Sequence, residues 1–389
     1  MVTDGTGLVD CLDDLRVIAE RVRRRVAEQG GSGTDADLAV KLFGTTMGAY
    51  LSHLWADPDH PTFLPSVGYY QMYGSPNPDT IYRTAVIDGS GEYRVSGQRG
   101  SVPDVSIMPL GRPTVAGLRT FEPFDLSELV IEADGNFEAW LSQHRPPGAQ
   151  NWWRLDPEMR TLMLRSVSEE WGAHVEPRLA ITRLDVDPRR ERVTPDALEQ
   201  RLRSFGAVVE GMIMSGVKRV GDLRAEGVVN RLAVVDYSQS GGRADQWYHE
   251  GCFSLREDEV LLIEAHLRPG CRGFSLSLTD PLLSTIDWAN AHSSLNRHQA
   301  VIDPDGLLRA VVGRSDPGVH NWLDTTGYDF GVLQCRWMGG GAPPDVSARV
   351  VATAALENAL PVLLRRVQPA ERAKAIRARQ IGVQLRSQW

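Results

Sequence analysis

The sequence predicts a multidomain α+β fold: two antiparallel β domains joined and flanked by helices. Three observations lead there. The chain has 389 residues, which favours two or three domains. Two blocks rich in short β-branched and aromatic runs are separated by long stretches of helical periodicity. No regular alternation of strand and helix runs along the chain, which argues against a Rossmann or TIM architecture.

Val9 to Gln29 places Leu12, Leu15, Val22 and Val26 close to one helical face, and Gly30-Gly31-Ser32-Gly33 ends that helix. Asp35 to about Trp55 carries Leu38, Leu42, Met47 and Leu51, and Pro58 and Pro61 stop it. Residues 1–60 thus form a helical N-terminal segment. In 61–135, Thr80 to Ile87 and Tyr93 to Ser96 are strands, punctuated by Asp88-Gly89-Ser90-Gly91 and Gly97-Gln98.

Residues 136–225 are expected to be helical. Asn136-Phe137-Glu138 opens one helix, Asp156-Pro157-Glu158 a second and Thr194-Pro195 a third, with proline at the first helical position. Residues 226–345 return to strands: Val260 to His266, Phe274 to Thr279, Leu307 to Val312 and Val332 to Trp337. In 346–389, Val346 to Val367 and the basic stretch Ala370 to Arg386 are expected as helices. The β blocks share a texture but show no fixed-period repeat.

Composition narrows the function. With 42% hydrophobic and 24% charged residues the chain is an ordinary globular protein, and its net charge of −8 disfavours nucleic acid as the main partner. No basic-then-apolar leader opens the sequence and no apolar run is long enough to span a bilayer, so a cytoplasmic location is expected. Cys11, Cys252, Cys271 and Cys335 form no CxxC pair and read as reduced, mostly buried thiols. No metal site is predicted, since no HxH or HExxH spacing occurs. No GxSxG elbow, Walker loop or dinucleotide fingerprint occurs either, so the cofactor is left open.

The loop Gly74-Ser75-Pro76-Asn77-Pro78-Asp79-Thr80 displays an amide and a carboxylate between two stiffening prolines. It suits a binding or acid–base site, or an Asx turn that satisfies only its own backbone. Among His292, His298 and His320, His298 is the acid–base candidate, beside the polar stretch Ser294-Leu295-Asn296, although hydrogen-bonded structural histidines are commoner. The ten tryptophans, among them Trp152, Trp153, Trp171, Trp247, Trp288, Trp322 and Trp337, could line an apolar cavity or sit singly at seams. An aromatic cavity also admits carbocation chemistry on an isoprenoid. Its acidic cluster would have to be Asp13-Asp14, which reads as a solvated helix face. The basic C-terminal stretch, with Arg372, Lys374, Arg377, Arg379 and Arg386, lacks a broad apolar face and reads as solvated or packed on its own protein.

Several short motifs, in order, resemble the bacterial proteins that pair the domains of unknown function numbered 1254 and 1214. Asn77, Asp79, Thr80, Ile81 and Tyr82 match the first pattern. Phe274 to Leu278, Asn296-Arg297, Asp305-Gly306, Pro317-Gly318, Asn321 to Leu323 and Arg336 match the second. The resemblance implies two β-sandwich, jelly-roll-like domains, a 1254-like one at 61–135 and a 1214-like one at 226–345. It supplies no catalytic residues. The chain departs from many members in lacking a leader and in carrying Asp324 after Asn-Trp-Leu.

These readings combine into an expected enzyme of secondary metabolism. It acts on a small, largely apolar molecule, terpenoid, steroid or polyketide-like, in an aromatic-lined pocket between domains. Asp79 and His298 are the acid–base candidates; Asn77, Tyr82, Asn321, Trp322 and Arg336 bind or brace. A non-catalytic carbohydrate- or lipid-binding protein, isoprenoid cyclisation, and a purely structural or partner-binding role are the alternatives. A homo-oligomer is possible.

Overall fold

A computed structural model describes residues 6–28, 34–72, 74–114, 117–237, 242–243, 245–360 and 365–386. Within these residues the protein is a mixed α+β structure with four sheets, built mainly from antiparallel strands.

The first β unit uses β1 (Leu64–Pro65), β2 (Thr80–Val86), β3 (Tyr93–Gln98), β4 (Asp104–Thr114), β5 (Gly117–Thr120), β6 (Phe124–Asp125), β7 (Asn136–Ser142), β8 (Trp152–Arg154), β9 (Thr161–Val167) and β10 (Arg178–Arg183). One of its sheets runs β1-β2-β9-β4-β5, with β6 also on β4; the other runs β10-β3-β7-β8. The second unit uses β11 (Ala233–Val235), β12 (Gln246–Ser254), β13 (Glu259–His266), β14 (Cys271–Thr279), β15 (Ser294–Asn296), β16 (Leu307–Gly313), β17 (Trp322–Asp324), β18 (Phe330–Gly339) and β19 (Asp345–Ala352). Its sheets run β11-β12-β18-β14-β15 and β19-β13-β16-β17.

The two orders are the same plan written twice, down to the parallel pairs β7–β8 and β16–β17. The registers agree as well. Arg165 on β9 stands opposite Tyr82 and Ser106, and Arg336 on β18 stands opposite Tyr248 and Ser275. The shared texture of the β blocks, which carries no fixed-period sequence repeat, thus corresponds to a duplicated fold. Asp134-Gly135, Pro147-Gly148 and Asn151-Trp152-Trp153 line up with Asp305-Gly306, Pro317-Gly318 and Asn321-Trp322-Leu323. The period is a whole domain, far longer than the short repeats that sequence periodicity usually exposes.

In each unit alternate strand residues face a shared core between the two sheets. Tyr93, Val95, Ile107, Leu141 and Leu164 fill the first; Ile263, Phe274, Leu276, Ala310 and Trp337 fill the second. Helices α1 (Thr6–Glu28), α2 (Asp35–Ala49) and α3 (Pro195–Ala225) pack through Ile18, Val22, Leu38, Phe205 and Val209. Leu12 points outward instead, 61% exposed, while Cys11 takes a buried place. α3 starts where expected, with Thr194 as N-cap accepting from Ala197 N and Pro195 following it. Its far end covers the second unit, with Val220 and Leu223 on Cys252 and Val332.

The expected helices at Asn136 and Asp156 are strands and turns. Asn136 N bonds to Asp134 Oδ1 at a turn through Gly135, and Phe137, Ala139 and Leu141 then alternate inward as β7. Asp156 does accept from Glu158 N, but it caps only a turn before β9. Helix therefore begins at Pro195, and 136–183 belongs to the first β unit. Likewise, among the described residues of Val346 to Val367, Val346, Val350 and Val351 lie in β19, paired along β13, and the helical part is short: a 3-10 turn, Thr353–Ala355, followed by α4 (Leu356–Ala359).

Candidate functional site

The loop 74–79 lies on the seam between the two β units. Gly74 and Ser75 have positive φ, and the prolines hold the rest extended. Asn77 Oδ1 accepts from Asp79 N at 3.2 Å, the Asx-turn alternative, and also from Ser275 Oγ on β14 at 2.9 Å. The turn is therefore both self-satisfied and docked on the other unit. Thr285 Oγ1 donates to Pro76 O at 2.9 Å. Arg336 donates to Ser277 Oγ at 3.0 Å and to Ser75 O at 2.5 Å, so it braces the loop from beneath. Tyr82 is half-buried; its hydroxyl accepts from Asn77 N at 3.4 Å and its ring lies under Arg165.

Asp79 is 2% exposed. Its Oδ1 accepts from Trp171 Nε1 at 2.8 Å and from Asn296 Nδ2 at 2.6 Å. Asn296, on β15, also donates to the carbonyl of Glu169 at 2.9 Å. Glu169 Oε1 accepts from Phe274 N at 3.2 Å. Residue 273 is glycine beside a bulge in β14, and a Cβ there would stand 2.5 Å from that oxygen. The chain thus leaves space for a second carboxylate near the first. Burial, then the charge of Asp79, pushes Glu169 up to about 7. Burial also raises Asp79, against the opposing pull of Asn296 and Trp171. The two N–H donors favour charge on Asp79, while its burial, the larger influence, opposes it.

A third element closes the site. α5 (Pro369–Leu385) is the expected basic helix, but Arg372, Arg379 and the following Arg386 are buried. Arg372 pairs with Asp316 and donates to Val319 O; Arg379 donates to Trp288 O and Ser294 Oγ. Arg386 crosses to the first unit, donating to Pro78 O at 2.8 Å and Asp79 O at 2.9 Å and pairing with Glu176 at 3.3 Å. α5 therefore clamps one unit to the other.

The structure gathers Asn77, Asp79, Tyr82 and Arg336 at this seam. His298 lies at its rim, its side chain 57% exposed and 3.8 Å from Glu170; Asn296 stands between it and Asp79 in sequence. Asn321 belongs elsewhere. Its amide donates to the carbonyls of Val301 and Arg309, and its oxygen accepts from Val301 N. Trp322 donates to Gly313 O, and its own carbonyl accepts from His292 Nδ1 at 2.5 Å. Both are scaffold of the second unit, consumed by backbone.

The tryptophans divide as well. Trp153 stacks on Phe124 in the first core, Trp337 lies in the second and Trp322 in a separate cluster. Trp171 and Trp288, with Tyr69, Met72 and Val383, form an apolar group beside Asp79. Asp13 and Asp14 are exposed on α1. Among the described residues no group of three or more His, Cys, Asp or Glu is placed to hold a metal ion, and no helix is long and apolar enough to cross a membrane. The sequence reading missed Glu169, Trp171 and Asn296 as partners of Asp79. Asn296 lay inside a motif already singled out, whereas nothing local marks Glu169.

No family model matches the chain, and no curated protein does. The chain is similar to the crystal structure of an uncharacterized protein from Burkholderia cenocepacia. The identity is 28%, the match covers 90% of this chain and 98% of that one, and the TM-score is 0.83. The fold is shared over nearly the whole of both chains. A protein from Vibrio parahaemolyticus matches at 11% identity over 80% of this chain and 98% of that one, with a TM-score of 0.45.

Proposed function

We propose that the protein is an acid–base enzyme acting on a small, largely apolar molecule at the seam between its two β units. The carrying observation is the Asp79–Glu169 pair. A carboxylate fully withdrawn from water and held by two N–H donors stands beside a second whose proton is exchangeable near pH 7. Paired carboxyls with separated affinities are a usual arrangement for proton transfer. Glu169 is the group that exchanges a proton with substrate; Asp79 sets its affinity and is a positioning residue. Tyr69, Met72, Trp171 and Trp288 supply an apolar wall. His298, at the rim, relays protons to solvent.

The same reading keeps the pairing of domains 1254 and 1214 and the jelly-roll-like form of each unit. It is supported by two facing sheets per unit, with the chain crossing between them at most connections. It places the reaction in the cytoplasm, where the free cysteines stay reduced. A purely structural or partner-binding role is the second reading, favoured by the full consumption of Asn321 by backbone.

Untargeted metabolite comparison of a deletion strain with its parent supplies the candidate substrate. Purified protein should then convert it, with a pH limb near 7 that Glu169→Gln abolishes. Neither binding nor conversion of that molecule selects the second reading, and equal turnover by wild type and Glu169→Gln removes the carboxylate pair from the chemistry.

A further inference from the structure

The charged residues of α2 are Asp35, Asp37 and Lys41. The two aspartates lie in its first turn and Lys41 is buried, so beyond that turn the helix presents no charge to solvent. Its outer face instead runs Ala36, Val40, Phe43, Met47 and on to Tyr50, in alternating steps of four and three. Val40 is 76% exposed, Phe43 73% and Tyr50 46%. Leu38, Thr45 and Ala49, on the opposite side, are buried in the protein. A surface helix ordinarily turns polar residues to water, and one that is apolar on its outer side as well is covered there. Steps of three and four are the spacing by which one helix packs along another.

The stripe itself says what covers it. Val40 and Tyr50 lie equally far from Thr45 along the chain, and so do Phe43 and Met47. Two antiparallel copies related by a two-fold axis at that level set Val40 on the other's Tyr50 and Phe43 on the other's Met47, the reciprocal pairing of an isologous interface. The charges at the rim fit the same axis. α1 runs antiparallel to α2: Arg23 pairs with Asp35 at 2.8 Å, and Leu15 and Ala19 line a groove of about 320 Å³ with Leu42, Phe43 and Thr46. The level of Thr45 therefore falls near Val17 of α1, midway between Asp10 and Arg24. Both are exposed, and neither makes an ion pair among the described residues. Within one copy they lie about 21 Å apart along the helix, too far to pair. Across the axis, Arg24 of each copy meets Asp10 of the other. A bilayer is the poorer occupant, because Arg16, Arg21, Arg23 and Arg25 are each already paired with a carboxylate and leave little basic surface for anionic lipid.

We propose that the outer face of α1 and α2 is a two-fold interface with a second copy of this chain, Phe43 of each copy entering the groove of the other. The interface is separate from the Asp79–Glu169 pair and does not depend on the acid–base reading.

Sedimentation velocity on the full chain, from about 1 to 100 μM, tests this. The wild type should reach twice the monomer mass, and Phe43→Glu should stay a monomer. Val175→Glu puts the same charge on an apolar side chain 64% exposed, in the turn between β9 and β10, and should leave the dimer intact. Asp10→Arg and Arg24→Asp should each weaken association severalfold, and the double variant should restore it. Circular-dichroism melts confirm that each variant folds, and the wild-type measurement needs no variant. A wild type that stays monomeric, a folded Phe43→Glu protein that still dimerises, or a double variant no tighter than its single parents overturns the proposal. A monomeric wild type that co-sediments with phosphatidylcholine vesicles overturns it too, and gives the face to a bilayer.

Discussion

Asn151 and Asn321 make the same hydrogen bonds in the two β units. Asn151 accepts from Val130 N and donates to the carbonyls of Val130 and Glu138; Asn321 accepts from Val301 N and donates to those of Val301 and Arg309. Each amide pins an incoming segment to the start of a parallel strand pair. An aspartate would keep the acceptor and lose both donors, facing a carboxylate toward two carbonyls. Asn321→Asp and Asn151→Asp should therefore each destabilise by about 2–4 kcal/mol. Urea denaturation measures this, and an unchanged midpoint for either variant would deny that asparagine its scaffold role.

Trp171 holds the buried carboxylate of Asp79 through one N–H, and Asn296 holds it through another. Trp171→Phe keeps most of the ring and deletes one donor to a charged acceptor, so it should cost about 1.5–3 kcal/mol. The loss falls on the ionised form. The deficit should therefore shrink as the pH falls and Asp79 is protonated, and a pH-independent loss would mean that only ring packing was removed.

Glu169 gives stability a definite pH slope. Its affinity for a proton rises from the usual 4.5 to about 7 on folding, because burial and Asp79 oppose its charge. Between those values the folded protein binds more protons than the unfolded one, so stability falls as pH rises from about 4.5 to 7. Glu169 is only partly buried, so solvent screening limits the effect to the order of 1 kcal/mol. Glu169→Gln should remove that part of the slope. Melts of both proteins from pH 4.5 to 8 check it, and parallel curves would show that the carboxyl keeps its ordinary affinity.

The sequence made the helices more legible than the domain plan. Thr194-Pro195 announces α3 because the N-cap hydroxyl and the proline act locally. The stretch 136–183 misled because Asn136 and Asp156 also serve as turn residues, and only burial of Phe137, Ala139 and Leu141 decides for strand. The 74–79 loop was recognisable as a display site from its prolines, but its partners come from β14, β15 and the C-terminal helix, which no local pattern connects. Packing of the C-terminal helix on its own protein was one of the two readings its sequence allowed, but not which arginines it buries: the helix lacks a broad apolar face, and its guanidiniums reach backbone carbonyls that only the fold brings into range.

The different fillings of the two cores make a last prediction. Trp337 is 1% exposed, packs against Phe274 and donates to His249. Trp337→Ser gives the second unit the residue that the first carries at Ser166. If the units were interchangeable at this end, the loss would be small. The surroundings are not interchangeable, however. The rings of Trp247 and Phe274 are shaped to meet another ring, and the imidazole of His249 is left without its donor. The removed indole leaves a cavity that a sheet core cannot collapse to fill, so the variant should lose about 3–5 kcal/mol, plus the cost of an unsatisfied buried nitrogen. Denaturant titration measures the loss. A change under about 1 kcal/mol would mean that the indole contributes little to filling the second core.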